Sequence, residues 1–176
     1  MSRRTLVAGV GNIFLSDDGF GVEVARRLAE RGPALPAGVE VADFGIRGVH
    51  LAYQLMDGYD GLVLVDAMPR GDPPGTVYVM EPDLTGVGVD PADDTPGPVG
   101  VPDAHSMDPG TVLALLATVN GGAVPVERVV VVGCEPATVE DGIGLSPAVS
   151  AAVEQGVEAV LDVLSAGPAP PVRGGG

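Results

Sequence analysis

Apolar runs alternate with glycine- and proline-rich breaks along the whole chain, and the period of each run distinguishes strands from helices. The run TLVA stops at Gly9 and Gly11, which predicts a buried strand, a tight turn and then a helix. Phe20, Val24 and Leu28 recur at spacings of four, so residues 20–30 form a helix with one face on a sheet. GPALPAG ends that helix, and VEVADF follows as a second strand stopping at Asp43 and Phe44. Gly45 and Gly48 bracket a turn, GIRG, ahead of a helix through HLAYQLMDG in which Leu51 and Leu55 share a face and Gly58 is the stop. GLVLVDAM is the clearest buried strand and runs into Asp66.

After the loop PRGDPPG, GTVYVMEPD alternates as a strand suited to a sheet edge. Residues 84–103 show no period and read as a long loop that delivers His105 and Ser106 to the helix SMDPGTVLALLATVNG. VERVVVVGCE is the last strand, with Cys134 and Glu135 at its exit. SPAVSAAVEQGVEAVLDVL is the last helix, with Ser146 as N-cap and Pro147 in its first turn. Strands alternating with helices predict an α/β protein. A single domain is expected over residues 1–166, with a disordered tail over 167–176 that has nothing to bury.

Composition narrows the function classes. At 176 residues the chain holds one domain of ordinary size. A net charge of −15 disfavours nucleic acid and anionic membrane as partners. With no apolar run long enough for a bilayer and an N-terminus that enters a strand at once, a cytoplasmic protein is expected. The single cysteine, Cys134, excludes an internal disulfide. Aromatic residues make up 3% of the chain with no Trp, so Val, Leu, Ile and Ala must build the core.

Candidate chemistry concentrates at strand exits. GVGNIFLSDDGFG begins like a dinucleotide fingerprint but has Phe14 where the third glycine belongs, and Asp17 and Asp18 would repel a pyrophosphate. That acid pair suits a cation, proton transfer, or the simpler task of capping the helix and opposing its dipole. Asp18, Asp66 and His105 each follow an apolar run, and in a parallel sheet those exits share one edge. Two carboxylates and an imidazole can ligate a divalent metal of borderline hardness and leave positions open. The plainer alternative makes Asp66 a loop cap and His105 a polar residue ahead of a helix. Cys134, after four valines, reads as a small buried hydrophobe rather than a nucleophile. Ser146 lacks G-x-S-x-G and reads as a helix cap, and His50 reads as a solvated surface residue.

Taken in order, GVGNIFLSDDGFGVEV, the GIRG turn after DF, LVLVDAM, the isolated His105 and VGCEPATVEDGIGLSPAV resemble the hydrogenase maturation endopeptidases, over residues 6–164. The resemblance implies a three-layer α/β/α fold with a twisted, mainly parallel sheet of about five strands. It implies removal of a C-terminal extension from the large-subunit precursor of nickel-iron hydrogenase after nickel insertion. Nickel would be borne by the substrate, with no organic cofactor. The family's metal-contacting positions fall on Asp18, Asp66 and His105, and its glycine-containing loop near the cleavage site falls on Gly45 and Gly48. Asp18 stands where the family commonly has glutamate, which shortens the reach by about one methylene. A non-catalytic nickel-binding or precursor-recognition protein of hydrogenase assembly is the alternative.

Overall fold

Strands β1 (Thr5–Val10), β3 (Gly61–Ala67) and β5 (Arg128–Cys134) are buried at every position but the first. Such strands need cover on both faces, and they form the centre of the sheet. The computed structural model describes residues 3–82, 84 and 109–166, without the side chains of 109–111. Strand β2 (Val39–Gly45) lies on one flank and β4 (Val77–Met80) on the other, giving the order β2-β1-β3-β5-β4. All neighbours pair in parallel except β4, which runs antiparallel to β5 at the edge, as its alternating pattern predicted.

Period-two alternation divides the core into two layers. Leu6, Ala8 and Val10 of β1, Leu62 and Leu64 of β3, and Val129 and Val131 of β5 share one layer with Leu51, Ala52 and Leu55 of α2 (Gly48–Leu55) and Val112, Leu113 and Leu116 of α3 (Pro109–Val119). Val7, Val63, Val65 and Val132 face the other way, onto Phe20, Val24 and Leu28 of α1 (Phe20–Arg31) and Val149, Val153, Val157 and Val160 of α4 (Pro147–Ser165). Each of these fully buried large side chains contributes about 1.5–3 kcal/mol of transfer free energy. The result is the three-layer α/β/α arrangement that the resemblance implied.

Helix α1 presses its first turn directly on the sheet. A Cβ at Gly21 would stand 2.1 Å from the carbonyl oxygen of Val65 and 2.6 Å from that of Val10. Any side chain there would lift the helix off the exits of β1 and β3, the strands that frame the site. From β1 the chain passes outward to β2 and then back across to β3, so the order reverses between β1 and β3. In open α/β sheets, ligands enter at that reversal.

Three boundaries differ from the sequence reading. Gly48 is the first residue of α2, not the end of a turn, so Gly45 alone bends the chain there with φ +52°. Helix α2 ends at Leu55, before Gly58, because Met56 and Asp57 already donate to Tyr53 and Gln54 in a closing turn. The fourth strand is confined to Val77–Met80. Most of the long loop, with His105 and Ser106, and the tail over 167–176 lie outside the described residues. Among the described residues, no helix is long and apolar enough to cross a membrane.

Candidate active site

The turn after β1 is built around Gly11, which adopts φ +131°. A Cβ at Gly11 would collide with the carbonyl oxygen of Asp18 at 1.9 Å and would lie 3.6 Å from Asp66 Oδ1. The Gly11 amide donates to the Gly45 carbonyl at 2.9 Å. The glycine loop, the exit of β3 and the Gly45 turn therefore meet at one point on the carboxyl edge, at the sheet's reversal. The backbone of Asp18 and the carboxylate of Asp66 both border Gly11, and the Gly45 carbonyl is bonded to the same glycine. Gly48 is set back as a buried residue at the start of α2.

Asp18 is half-buried, and its Oδ2 accepts from the Asn12 amide at 2.7 Å. Burial raises the pKa of its carboxyl above the ordinary value, and the Asn12 hydrogen bond only partly offsets this. Asp66 is 1% exposed at the end of an apolar strand. Two acids placed where water is scarce favour a cation. Among the described residues, no group of three His, Cys, Asp or Glu side chains is arranged to hold a metal ion, and His105 lies outside those residues.

Asp17 has a role that its sequence neighbourhood conceals. Ser16 is the one non-glycine among the described residues with positive φ, at 53°, and it turns the two adjacent acids in different directions. Asp17 is fully buried and points toward the segment after β5. Its carboxylate accepts from the amides of Ala137 at 2.8 Å, Thr138 at 3.2 Å and Ser146 at 2.7 Å, and from the Ser146 hydroxyl at 2.9 Å. Burial alone would raise its pKa, but these hydrogen bonds outweigh it and hold the carboxyl below its ordinary value. The Ser16 hydroxyl adds a bond to the Glu140 carbonyl at 2.9 Å. Asp17 thus fastens the site turn to the α4 N-terminus, where the Ser146 hydroxyl also accepts from Val149 N. Helix capping had been the plain expectation for the acid pair. Asp17 does assist a cap, but that of α4, 129 residues away in sequence, which no local pattern could disclose.

Glu135 organises the loop after β3. It is 6% exposed and accepts from the amides of Arg70 at 2.7 Å and Gly71 at 3.2 Å and from the Tyr78 hydroxyl at 2.9 Å. Burial opposes ionisation, but these donors prevail and its pKa is lowered. Cys134 is fully buried, and desolvation, with the charges of Asp17 and Glu135, pushes its thiol up to about 11. A thiol held protonated and away from solvent is a poor nucleophile. Cys134→Ser should accordingly leave the protein's catalytic turnover and its thermal midpoint nearly unchanged, measured side by side with the unmodified chain. Complete loss with the fold intact would instead require a thiolate step. His50 is exposed on α2, as expected.

An α/β/α domain whose sheet reverses beside Gly11 and Asp66, with Phe14 where a third glycine would stand, is an α/β scaffold that departs from the dinucleotide-binding fingerprint. The chain belongs to the hydrogenase maturation protease family, whose sequence profile matches residues 22–163. It is a peptide-bond hydrolase of that family. It is 32% identical over 166 residues to hydrogenase 2 maturation protease of Escherichia coli K12, covering 92% of this chain and 90% of that protein. It is also 32% identical over 166 residues to the hydrogenase expression/formation protein HupD of Rhodobacter capsulatus, covering 93% and 73%. The solved structure of the hydrogenase maturating endopeptidase HybD from E. coli aligns over 93% of both chains, with a TM-score of 0.69 at 29% identity.

Proposed function

We propose that this enzyme removes the C-terminal extension of a nickel-iron hydrogenase large-subunit precursor after nickel has been inserted. The observation that supports the reading is the meeting of the Asp18 backbone, the Asp66 carboxylate and the Gly45 turn around Gly11, at the sheet's reversal. Family membership names the process, and the acids supply a reason for metal dependence. Asp18, Asp66 and His105 make an incomplete ligand set for a free divalent ion. A nickel ion already held by the precursor's own side chains can accept one or more of them, which joins recognition to correct loading. Water then adds to the scissile carbonyl, the carbon–nitrogen bond breaks, and the leaving amine takes up a proton. Asp18, one methylene shorter than glutamate, is supported from behind by the Asp17 clamp, so the backbone of the turn sets its reach.

Incubation with nickel-loaded and nickel-free precursor tests this reading, with release of the extension followed by mass spectrometry. Cleavage of the loaded form alone is expected. Equal rates on both forms would overturn the nickel step, and an uncut loaded precursor would favour a recognition protein without peptidase activity.

A further inference from the structure

Large exposed apolar side chains are not scattered over the described surface. Ile13, Phe14, Val139 and Ile143 stand on the loops after β1 and β5, while Ile46, Val49, Tyr53 and Met56 run from the Gly45 turn down α2. Only Val79, on the edge strand, lies apart from these two groups. The loops of the first group are joined through Gly142, whose amide donates to the Phe14 carbonyl at 2.8 Å and whose carbonyl accepts from Ser16 N at 2.9 Å. Phe14 and Ile143, 61% and 82% exposed, thus flank the glycine loop together.

Helix α2 carries apolar side chains on both sides, with His50 and Gln54 as the polar residues of its outer face. Gly48, Leu51, Ala52 and Leu55 face the core, while Val49, Tyr53 and Met56 recur at helical spacing on the solvent side. No Asp, Glu, Lys or Arg occurs in GVHLAYQL. Helix α1 shows the ordinary alternative, since its outer face carries Arg26 bonded to Glu23 and Glu30, and Arg27 bonded to Glu154. An outer helix face with exposed apolar side chains and no charged one suits contact with a partner.

We propose that Ile46, Val49, Tyr53 and Met56, with Phe14 and Ile143 across the site, form the surface on which the folded body of the precursor docks while its extension enters the site. The proposal rests on the peptidase reading above. The stripe begins at Ile46, next to the Gly45 turn that bonds to Gly11, so it is continuous with the site that the scissile segment must reach. A second copy of this chain is a poorer occupant. Each copy carries −15, which opposes self-association, and a copy seated on Phe14 and Ile143 would cover the edge that Asp18 and Asp66 share. The fitting partner is a protein with an apolar patch beside its cleaved terminus and a neutral or basic rim.

The test uses a nickel-loaded large-subunit precursor as probe, with the variants Tyr53→Glu and Met56→Glu. Both positions are exposed, and the milder Tyr53→Ser guards against a folding defect. The KM for processing should rise roughly tenfold with kcat unchanged, and the Kd for the precursor should weaken in parallel. An unchanged KM and Kd would overturn the docking surface while leaving the peptidase reading intact. If the unmodified protein binds the precursor without cutting it, the peptidase reading fails, and the effect of the variants on Kd still decides the surface. A dimer in sedimentation that Tyr53→Glu dissociates would assign the stripe to self-association and overturn the proposal.

Discussion

Asp66→Asn is expected to reduce processing of the nickel-loaded precursor by roughly a thousandfold or more. The change preserves shape but removes the negative charge, and a neutral amide oxygen is a weak ligand and no base. Because Asp66 follows the Leu62–Val65 run in β3 and Asn keeps its size and shape, the replacement spares the valine and leucine core. Circular dichroism and thermal unfolding should confirm the fold while mass spectrometry follows the extension. His105→Ala should lose processing to a similar degree if its place ahead of α3 makes it the third ligand. Asp18→Glu should retain activity, since it returns the longer acid common at that position. Near-normal cleavage by Asp66→Asn would remove Asp66 from the chemistry.

The largest effect on stability is expected at Asp17. Asp17→Ala leaves the amides of Ala137, Thr138 and Ser146 and the Ser146 hydroxyl without their shared acceptor in a partly buried setting. Loss of a buried, multiply bonded carboxylate should cost about 3–5 kcal/mol, or about 10 °C in Tm for a domain of this size. The same clamp makes the fold sensitive to acid. Asp17 and Glu135 both have lowered pKa values in the folded state. Groups of this kind contribute stability that is present above their unfolded pKa and is lost as pH falls through the folded one. Unfolding midpoints should therefore be level near neutrality and drop below about pH 4. Asp17→Ala should be less stable throughout and show a shallower acid dependence. A midpoint within one or two degrees of the unmodified protein would show that the clamp contributes little.

The parts of the site that were legible in sequence depend on local rules. An apolar run must end where its strand ends, so Asp18, Asp66 and Glu135 could be assigned to strand exits from the pattern alone. Ser146 and Pro147 announce a helix start because their preferences are intrinsic to the residue types. Parallel pairing then places the exits of β1, β3 and β5 on one edge. Helix boundaries at Gly48 and Leu55 were less accessible, since they depend on how α2 meets the sheet and not on its own residues.

What the sequence by itself determined is the α/β class, the strand exits that carry acids and the membership of a peptidase family, all of which follow from periodicity and ordered motifs. Tertiary structure alone decided what the first acid of the pair, Asp17, holds. Ser16, in a left-handed conformation, turns Asp17 toward donors 120 to 129 residues away and leaves Asp18 beside Gly11. It also decided that α2 would leave Val49 and Tyr53 exposed among the described residues, because the sheet accepts only the face bearing Leu51 and Leu55. Both outcomes arise from packing between distant segments, and the energy of such contacts is not carried by any local stretch of chain.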